Sequence, residues 1–383
     1  MNRLFLFIGW IWMVVACDAQ SNKVMTGADQ MDVLLPMLTG KRVALIVNQT
    51  SVVKKTHLAD TLKSRGVNIV KIFAPEHGFR GNAADGEPVN DSIDLKTGIP
   101  LLSLYGKSNK PKPQQLTDVD ILIFDVQDVG ARFYTYVSTL TWIMEACVEN
   151  GKNLIVLDRP NPNGNYVDGP ILQPAFKSTI GLHPIPIVHG LTIGEIAGMI
   201  NGEGWLEGNK KCNLEIIKLK NWKHTDEYSL PIRPSPNLPN DQAIRLYPSI
   251  CLFEGTVISL GRGTPMPFQV LGNPELKDMP FQFTPVAIKG FSIHPPLENK
   301  LCYGVDLRSV PVERRLDLSY LIKFYQAFPD KEKFFTNYFE KLVGNKEFRE
   351  QIKKGMTEDQ IRATWKSDLD SYKEKREKYL HYK

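Results

Sequence analysis

Glu76, His77 and Arg80 lie close together in one stretch, IFAPEHGFRG, at Ile72–Gly81. A carboxylate, an imidazole and a guanidinium at this spacing can hold and transfer a proton beside a polar ligand. The apolar run Val67 to Phe73 predicts a buried strand before them, and Ala74-Pro75 stops it, because proline has no N–H to give a ladder. Gly78 and Gly81 free the chain to turn. The cluster is therefore expected just past the C-terminal end of a strand, where open α/β sheets bind ligands. The alternative is an ordinary turn with a solvated glutamate and a capping histidine. Similar strand-end clusters further along favour a site.

A strand at Ile121 to Asp125 runs into DVQDVGARFYTY. Asp125 and Asp128 stand beside Arg132, with Gly130 turning the chain between them, and Phe133, Tyr134 and Tyr136 open a helix to about Glu149. Aromatic faces pack on sugar rings and carboxylates hold hydroxyls, so the group suits a carbohydrate. Alternatively, Arg132 bridges Asp125 or Asp128 and the tyrosines are core. The strand Asn153 to Leu157 repeats the pattern and leads to DRPNPNG. Its two prolines stiffen a loop from which Asp158, Arg159 and Asn161 can face a crevice. Glu254 and Arg262 flank a further predicted strand, Val257 to Leu260. The GRG turn after it has neither P-loop nor dinucleotide spacing. Asn48, Gln49, Thr50 and Ser51, after the first strand, suit either a polar ligand or helix capping.

These side chains need a scaffold. Strands at Arg42–Asn48 and Val67–Phe73 flank a helix at His57–Arg65 closed by Gly66, a βαβ start that implies a parallel sheet with right-handed crossovers. Leu101–Tyr105 and Leu214–Leu219 read as further strands. Thr192 and Glu195 form a T-x-x-E capping box on a helix at Ile193–Asn201, which makes Glu195 structural. Arg233–Asn240 is a proline-rich, rigid loop, and a helix follows at Ala243–Phe253. After about Phe268 the pattern becomes mixed: a strand at Cys302–Ser309 and helices at Leu316–Phe328, Lys331–Leu342, Glu347–Lys353 and Asp359 to about Tyr379. With 383 residues the chain exceeds one small core. The expected class is α/β: a Rossmann-like parallel-sheet domain over residues 31–265 and a smaller α+β domain over 266–383.

Asn2-Arg3 followed by apolar Leu4 to Val15 reads as a secretory signal over residues 1–16, too short to span a membrane. It ends Val14-Val15-Ala16-Cys17, a lipobox pattern that would make Cys17 the lipidated mature N-terminus. Residues 17–30 would then be a tether, and the protein exported and lipid-anchored in a bacterial envelope, facing the periplasm. Cys147, Cys212, Cys251 and Cys302 show no zinc spacing, although a disulfide is open to an exported protein. No metal or cofactor is expected. The net charge of +5 is modest and does not argue for nucleic acid.

FAPEHGFRG, DVQDVGARFYTY, DRPNPNG and EGTVISLGRGT, in that order, resemble the exo-β-N-acetylmuramidase family over essentially the whole mature chain. The resemblance implies release of N-acetylmuramic acid (MurNAc) from the non-reducing ends of peptidoglycan fragments such as MurNAc-GlcNAc. It also implies an active site in the cleft between a Rossmann-like domain and a smaller C-terminal one. Glycoside hydrolysis needs an acid for the leaving oxygen and usually a second carboxylate. Glu76 is the expected general acid, tuned by His77 and the cleft. Glu254 is the first candidate for the second carboxylate and Asp125 the next, unless the substrate's acetamide takes that role. Arg132 or Arg262 would bind the lactyl carboxylate, with Arg80, Asp128, Tyr134, Tyr136, Asp158, Arg159 and Asn161 lining the substrate site. The competing reading is a muropeptide-binding lipoprotein without turnover. A nucleotide-dependent oxidoreductase is disfavoured, because NQTSVVKK after the first strand lacks the glycines a pyrophosphate needs.

Overall fold

The computed structural model describes residues 23–76, 78–80, 91–104, 106 and 109–383. Cys17, the signal segment and His77 lie outside the described residues, so the expectations on them are not addressed by the fold.

Chain order begins with α1 (Met31–Leu38), β1 (Val43–Val47), the small hairpin β2 (Val52–Val53) and β3 (Thr56–His57), and α2 (Leu58–Ser64). It continues through β4 (Ile69–Ala74), β5 (Ser92–Ile93), β6 (Pro100–Ser103), β7 (Ile121–Asp125), α3 (Tyr136–Asn150) and β8 (Asn153–Leu157). Then come β9 (Asp168–Ile171), β10 (Pro186–Val188), α4 (Ile193–Gly202), β11 (Asn213–Ile217) and α5 (Asp241–Ile250).

One sheet has the order β11-β8-β7-β1-β4-β6-β5. Its strands pair in parallel except β5, which runs antiparallel to β6 on the edge. From β1 the chain first builds outward through β4 and β6, then returns to build the other side through β7, β8 and β11. The order is that of a doubly wound dinucleotide fold, with its switch point between β1 and β7. The central strands are buried on both faces, as their unbroken Val/Ile/Leu runs require. Successive residues of β1 enter different cores. Val43, Leu45 and Val47 pack with Leu34 and Leu38 of α1 and Leu58 and Leu62 of α2. Ala44 and Ile46 join Leu140 and Ile143 of α3 and Ile196 and Ile200 of α4. The Thr192–Glu195 capping box forms as expected.

The remaining chain forms a three-stranded antiparallel sheet, β12 (Val270–Asn273), β13 (Phe281–Phe283) and β14 (Cys302–Asp306), in the order β12-β14-β13. Helices α6 (Ser319–Ala327), α7 (Phe339–Val343), α8 (Glu347–Lys353) and α9 (Glu358–Glu377) complete it. This is the expected α/β class with an α+β C-terminal part. Residues 23–30, expected within the tether, pack on the fold instead: Met25 bridges Lys220, Gly27 N donates to Asp158 O and Ala28 is buried. Three further local expectations fail. Val257–Leu260 is not a strand; within it only Ser259 bridges, to Gly272. Lys331–Leu342 is not one helix but a 3-10 turn at Lys331–Lys333 and the short α7. The helix after Asn240 ends at Ile250 and tightens into a 3-10 turn over Cys251–Gly255. The four described cysteines are buried free thiols.

The C-terminal end ties back to the first half. Tyr372 Oη of α9 donates to His189 O at 2.8 Å, and Tyr382 Oη donates to Asp158 Oδ2 at 2.5 Å.

Two histidines couple this fold to pH. His57 caps α2, accepting from Ala59 N at 3.2 Å, and its other nitrogen meets Asn48 O at 2.9 Å. His183 lies 2.8 Å from Thr141 Oγ1 and stacks on Trp205. Burial pulls the pKa of each down to about 4. An unfolded histidine titrates near 6.5, so between these values the unfolded chain binds protons that the folded chain refuses. Stability is full above about pH 6.5 and drains as pH falls towards 4. Thermal unfolding across that window is expected to show a falling midpoint, and His183→Gln a shallower fall.

Candidate active site

A cavity of about 520 Å³ opens at the C-terminal edge of the sheet, within the range of small-molecule sites. Glu76 after β4, Asn109 after β6, and Thr135 and Tyr136 at the start of α3 line it. Ser235 and Asn237 of the proline-rich loop, with Tyr247, Glu254, Arg262, Phe268 and Tyr338, also line it.

Glu76 follows Pro75, where the ladder ends. Its Oε2 accepts from Thr135 Oγ1 at 2.8 Å, and its carbonyl accepts from Tyr136 Oη at 3.3 Å. Tyr136 Oη accepts from Asn48 Nδ2 at 2.9 Å. Asn48 thus serves the crevice at the switch point by holding a tyrosine. Thr50 and Ser51 are likewise internal: Gln127 N donates to Thr50 Oγ1 at 3.1 Å, and Ser51 Oγ donates to Asp125 O.

The tyrosines form a wall. Tyr134 meets Tyr136 edge-on at 5.0 Å and Tyr247 at 5.8 Å, and its hydroxyl donates to Pro234 O at 3.0 Å. Burial raises both phenol pKa values well above the ordinary range, so both stay protonated donors. Glu254 and Arg262 form a pair in the cavity lining. Arg262 Nη2 and Nε donate to Glu254 Oε1 at 2.7 and 3.1 Å, and the guanidinium lies 5.0 Å over the Phe268 ring.

The other expected ligands are not in this lining. Arg132 is 2% exposed, and its guanidinium donates to Pro170 O at 2.9 Å, Ile185 O at 2.8 Å and Leu342 O at 2.9 Å. Burial pulls its pKa down to about 9. Because Leu342 lies on α7 and lines the cavity, Arg132 ties the first half of the chain to the C-terminal part beside the cavity. The lactyl-binding role expected for Arg132 has no geometry to support it.

Asp125 and Arg159 bind each other, at 2.5 Å from Nε to Oδ1 and 2.9 Å from Nη2 to Oδ2, and both are buried. Asp128 Oδ2 accepts from Gly130 N at 2.7 Å and lies 3.4 Å from His189 Nε2. Gly130 has φ +81°, and a Cβ there would run into the Asn161 amide. That amide donates to Leu191 O at 2.8 Å. Asp158 accepts from Arg159 N, Gly194 N, Thr192 Oγ1 and Tyr382 Oη. Arg80 pairs with Asp94 at 2.9 Å and Asp60 at 3.3 Å. These residues build and brace the loops that carry the lining.

Sequence reading missed Thr135, Ser235, Asn237 and Tyr247. Thr135 lay inside a recognised motif. The loop at 233–240 carried only a rigidity signal, and Tyr247 sat in a helix that read as core. Among the described residues no cluster of His, Cys, Asp and Glu is suited to a metal ion.

Fold and cavity together define a two-part α/β protein. Its carboxylate- and aromatic-lined cleft sits where the C-terminal part meets the sheet edge. Residues 43–242 match the N-terminal family model of exo-beta-N-acetylmuramidase NamZ, and residues 245–382 match its C-terminal model. The peptidoglycan beta-N-acetylmuramidase NamZ of Bacillus subtilis (strain 168) is 39% identical over 392 residues, covering 95% of this chain and 92% of that protein. Two crystal structures of DUF1343 family proteins from Bacteroides fragilis NCTC 9343 are similar. One is 48% identical with a TM-score of 0.88, the other 31% identical with a TM-score of 0.81, and each alignment covers 94% of this chain and 99% of that one. The chain belongs to the exo-β-N-acetylmuramidase family.

Proposed function

We propose that this protein is an exo-acting β-N-acetylmuramidase, a glycoside hydrolase that releases MurNAc from the non-reducing ends of peptidoglycan fragments. The observation that carries the reading is one cavity lined by Glu76 from the sheet edge and by the Arg262–Glu254 pair that follows α5. Glu76 protonates the departing glycosidic oxygen as general acid. Arg262, held in the wall by Glu254, receives the lactyl carboxylate that distinguishes MurNAc from GlcNAc. The Tyr134, Tyr136 and Tyr247 rings and the Asn237 amide offer faces and polar groups to the sugar. The lipobox at Cys17 after an apolar Leu4–Val15 run supports an exported, lipid-anchored enzyme acting at the cell envelope.

The purified protein is expected to release nitrophenol from para-nitrophenyl β-MurNAc and not from the β-GlcNAc compound. Inactivity on both, with MurNAc-GlcNAc also intact, would leave a binding protein. Arg262→Ala is expected to lower kcat/KM on the MurNAc substrate by about 10–100-fold, the range for a hydrogen bond to a charged group. The preference for MurNAc over GlcNAc should shrink with it. Arg262→Lys should recover only part, because an ammonium lacks the planar fork. An unchanged preference in Arg262→Ala would place lactyl recognition elsewhere.

A further inference from the structure

Thr135 occupies the N-cap of α3, with φ −66° and ψ −8°, and its side chain makes no capping hydrogen bond to the first turn. A threonine in that place ordinarily accepts from an amide of the helix it starts. Here the hydroxyl instead donates to Glu76 Oε2 at 2.8 Å. The next residue, Tyr136, holds the Glu76 carbonyl at 3.3 Å and is itself held by Asn48 Nδ2 at 2.9 Å. Asn48 is locked in turn, its Oδ1 accepting from Thr50 N at 2.9 Å. The acid is thus fixed at its backbone and at one carboxyl oxygen, by α3 and by the end of β1. Among the described residues Oε1 accepts no hydrogen bond, while Glu76 itself lines the cavity.

We propose that Thr135 is a positioning residue for the acid step, assigning the transferable proton of Glu76 to Oε1. This rests on the reading of Glu76 as general acid. A hydroxyl that donates to Oε2 makes that oxygen the acceptor end of the carboxyl group, so the proton resides on Oε1. During cleavage the Oε1 proton passes to the glycosidic oxygen as the bond from that oxygen to the anomeric carbon breaks, its electron pair staying on the oxygen. The negative charge left on Glu76 gathers partly on Oε2, where the Thr135 bond becomes charge-assisted and stronger. Water then supplies a hydroxyl group to the anomeric carbon, and the proton it releases restores the acid form. An interaction that strengthens only as the proton leaves raises kcat rather than lowering KM.

The test uses residues 18–383 and two leaving groups. GlcNAc is a poor leaving group that must be protonated, whereas para-nitrophenolate departs without a proton. Thr135→Val keeps the shape and removes the donor. It is expected to lower kcat/KM on MurNAc-GlcNAc by about tenfold or more, with KM little changed. Para-nitrophenyl β-MurNAc should lose only a few-fold, and Thr135→Ser should restore both. Equal losses on the two substrates, or no loss, would overturn the proposal and leave Thr135 a structural residue. If the valine variant does not fold by its thermal midpoint, the same ratio is read on Thr135→Ala. Glu76→Gln is measured alongside. Near-full activity there would sink the acid assignment itself, whereas an inactive Glu76→Gln enzyme beside an unaffected Thr135→Val enzyme would sink only the positioning role.

Discussion

The Glu76→Gln enzyme is expected to fold normally and to hydrolyse MurNAc-GlcNAc about 10²–10⁴-fold more slowly, the span that a general acid contributes. The normal fold follows from the surroundings. Glu76 is half-buried in the cavity wall, and the only hydrogen bond to its side chain among the described residues comes from Thr135. A glutamine amide oxygen accepts from the same hydroxyl, and the backbone bond from Tyr136 is untouched. The lost activity follows from chemistry, because an amide cannot give up a proton to a glycosidic oxygen. An activated aryl glycoside should therefore survive the substitution better than the disaccharide. A thermal midpoint within error of the wild type, together with a large difference between the two substrates, would identify the acid. A uniform loss on both would point to sugar binding instead.

The sheet was legible because its central strands are unbroken apolar runs with marked ends. Ile121–Asp125 and Asn153–Leu157 come out with the expected limits, one closed by Asp125 and the other begun at Asn153 after a glycine turn. Val257–Leu260 is an apolar run of the same kind, but it packs as an irregular segment held by the Ser259–Gly272 bridge. A four-residue run carries no periodicity to tell the two outcomes apart.

Of the residues the sequence singled out, Glu76, Tyr134, Tyr136, Glu254 and Arg262 line the cavity. Arg132 stands outside that lining for a physical reason. An arginine beside a strand end looks poised for a ligand, and sequence cannot reveal that the carbonyls of Pro170, Ile185 and Leu342 converge on it from distant parts of the chain. Ser235 and Asn237 were hidden for the converse reason: nothing in a proline-rich loop shows which wall it will face.

The Asp125–Arg159 pair carries the second large effect, and it is one of stability. Both side chains are buried, 0% and 4% exposed. Arg159 also donates to Val52 O at 3.2 Å, so it joins β7, the loop after β8 and the hairpin after β1. Burial works against the Arg159 charge, but the Asp125 carboxylate outweighs it and raises the arginine pKa. Arg159→Met leaves a carboxylate buried without its counter-charge, which costs about 3–5 kcal/mol. The double variant Asp125→Leu/Arg159→Met removes both charges, and denaturant titration should show it recovering much of that loss, since a buried pair replaced by apolar groups is often near neutral. Neither residue lines the cavity. The folded double variant should therefore keep kcat/KM within a few-fold of wild type while Glu76→Gln does not. A double variant that regains stability but stays inactive would show the pair touching substrate and return Asp125 to the list of catalytic carboxylates. Recovery of both stability and turnover would show that the two charges need only balance each other and that neither touches substrate.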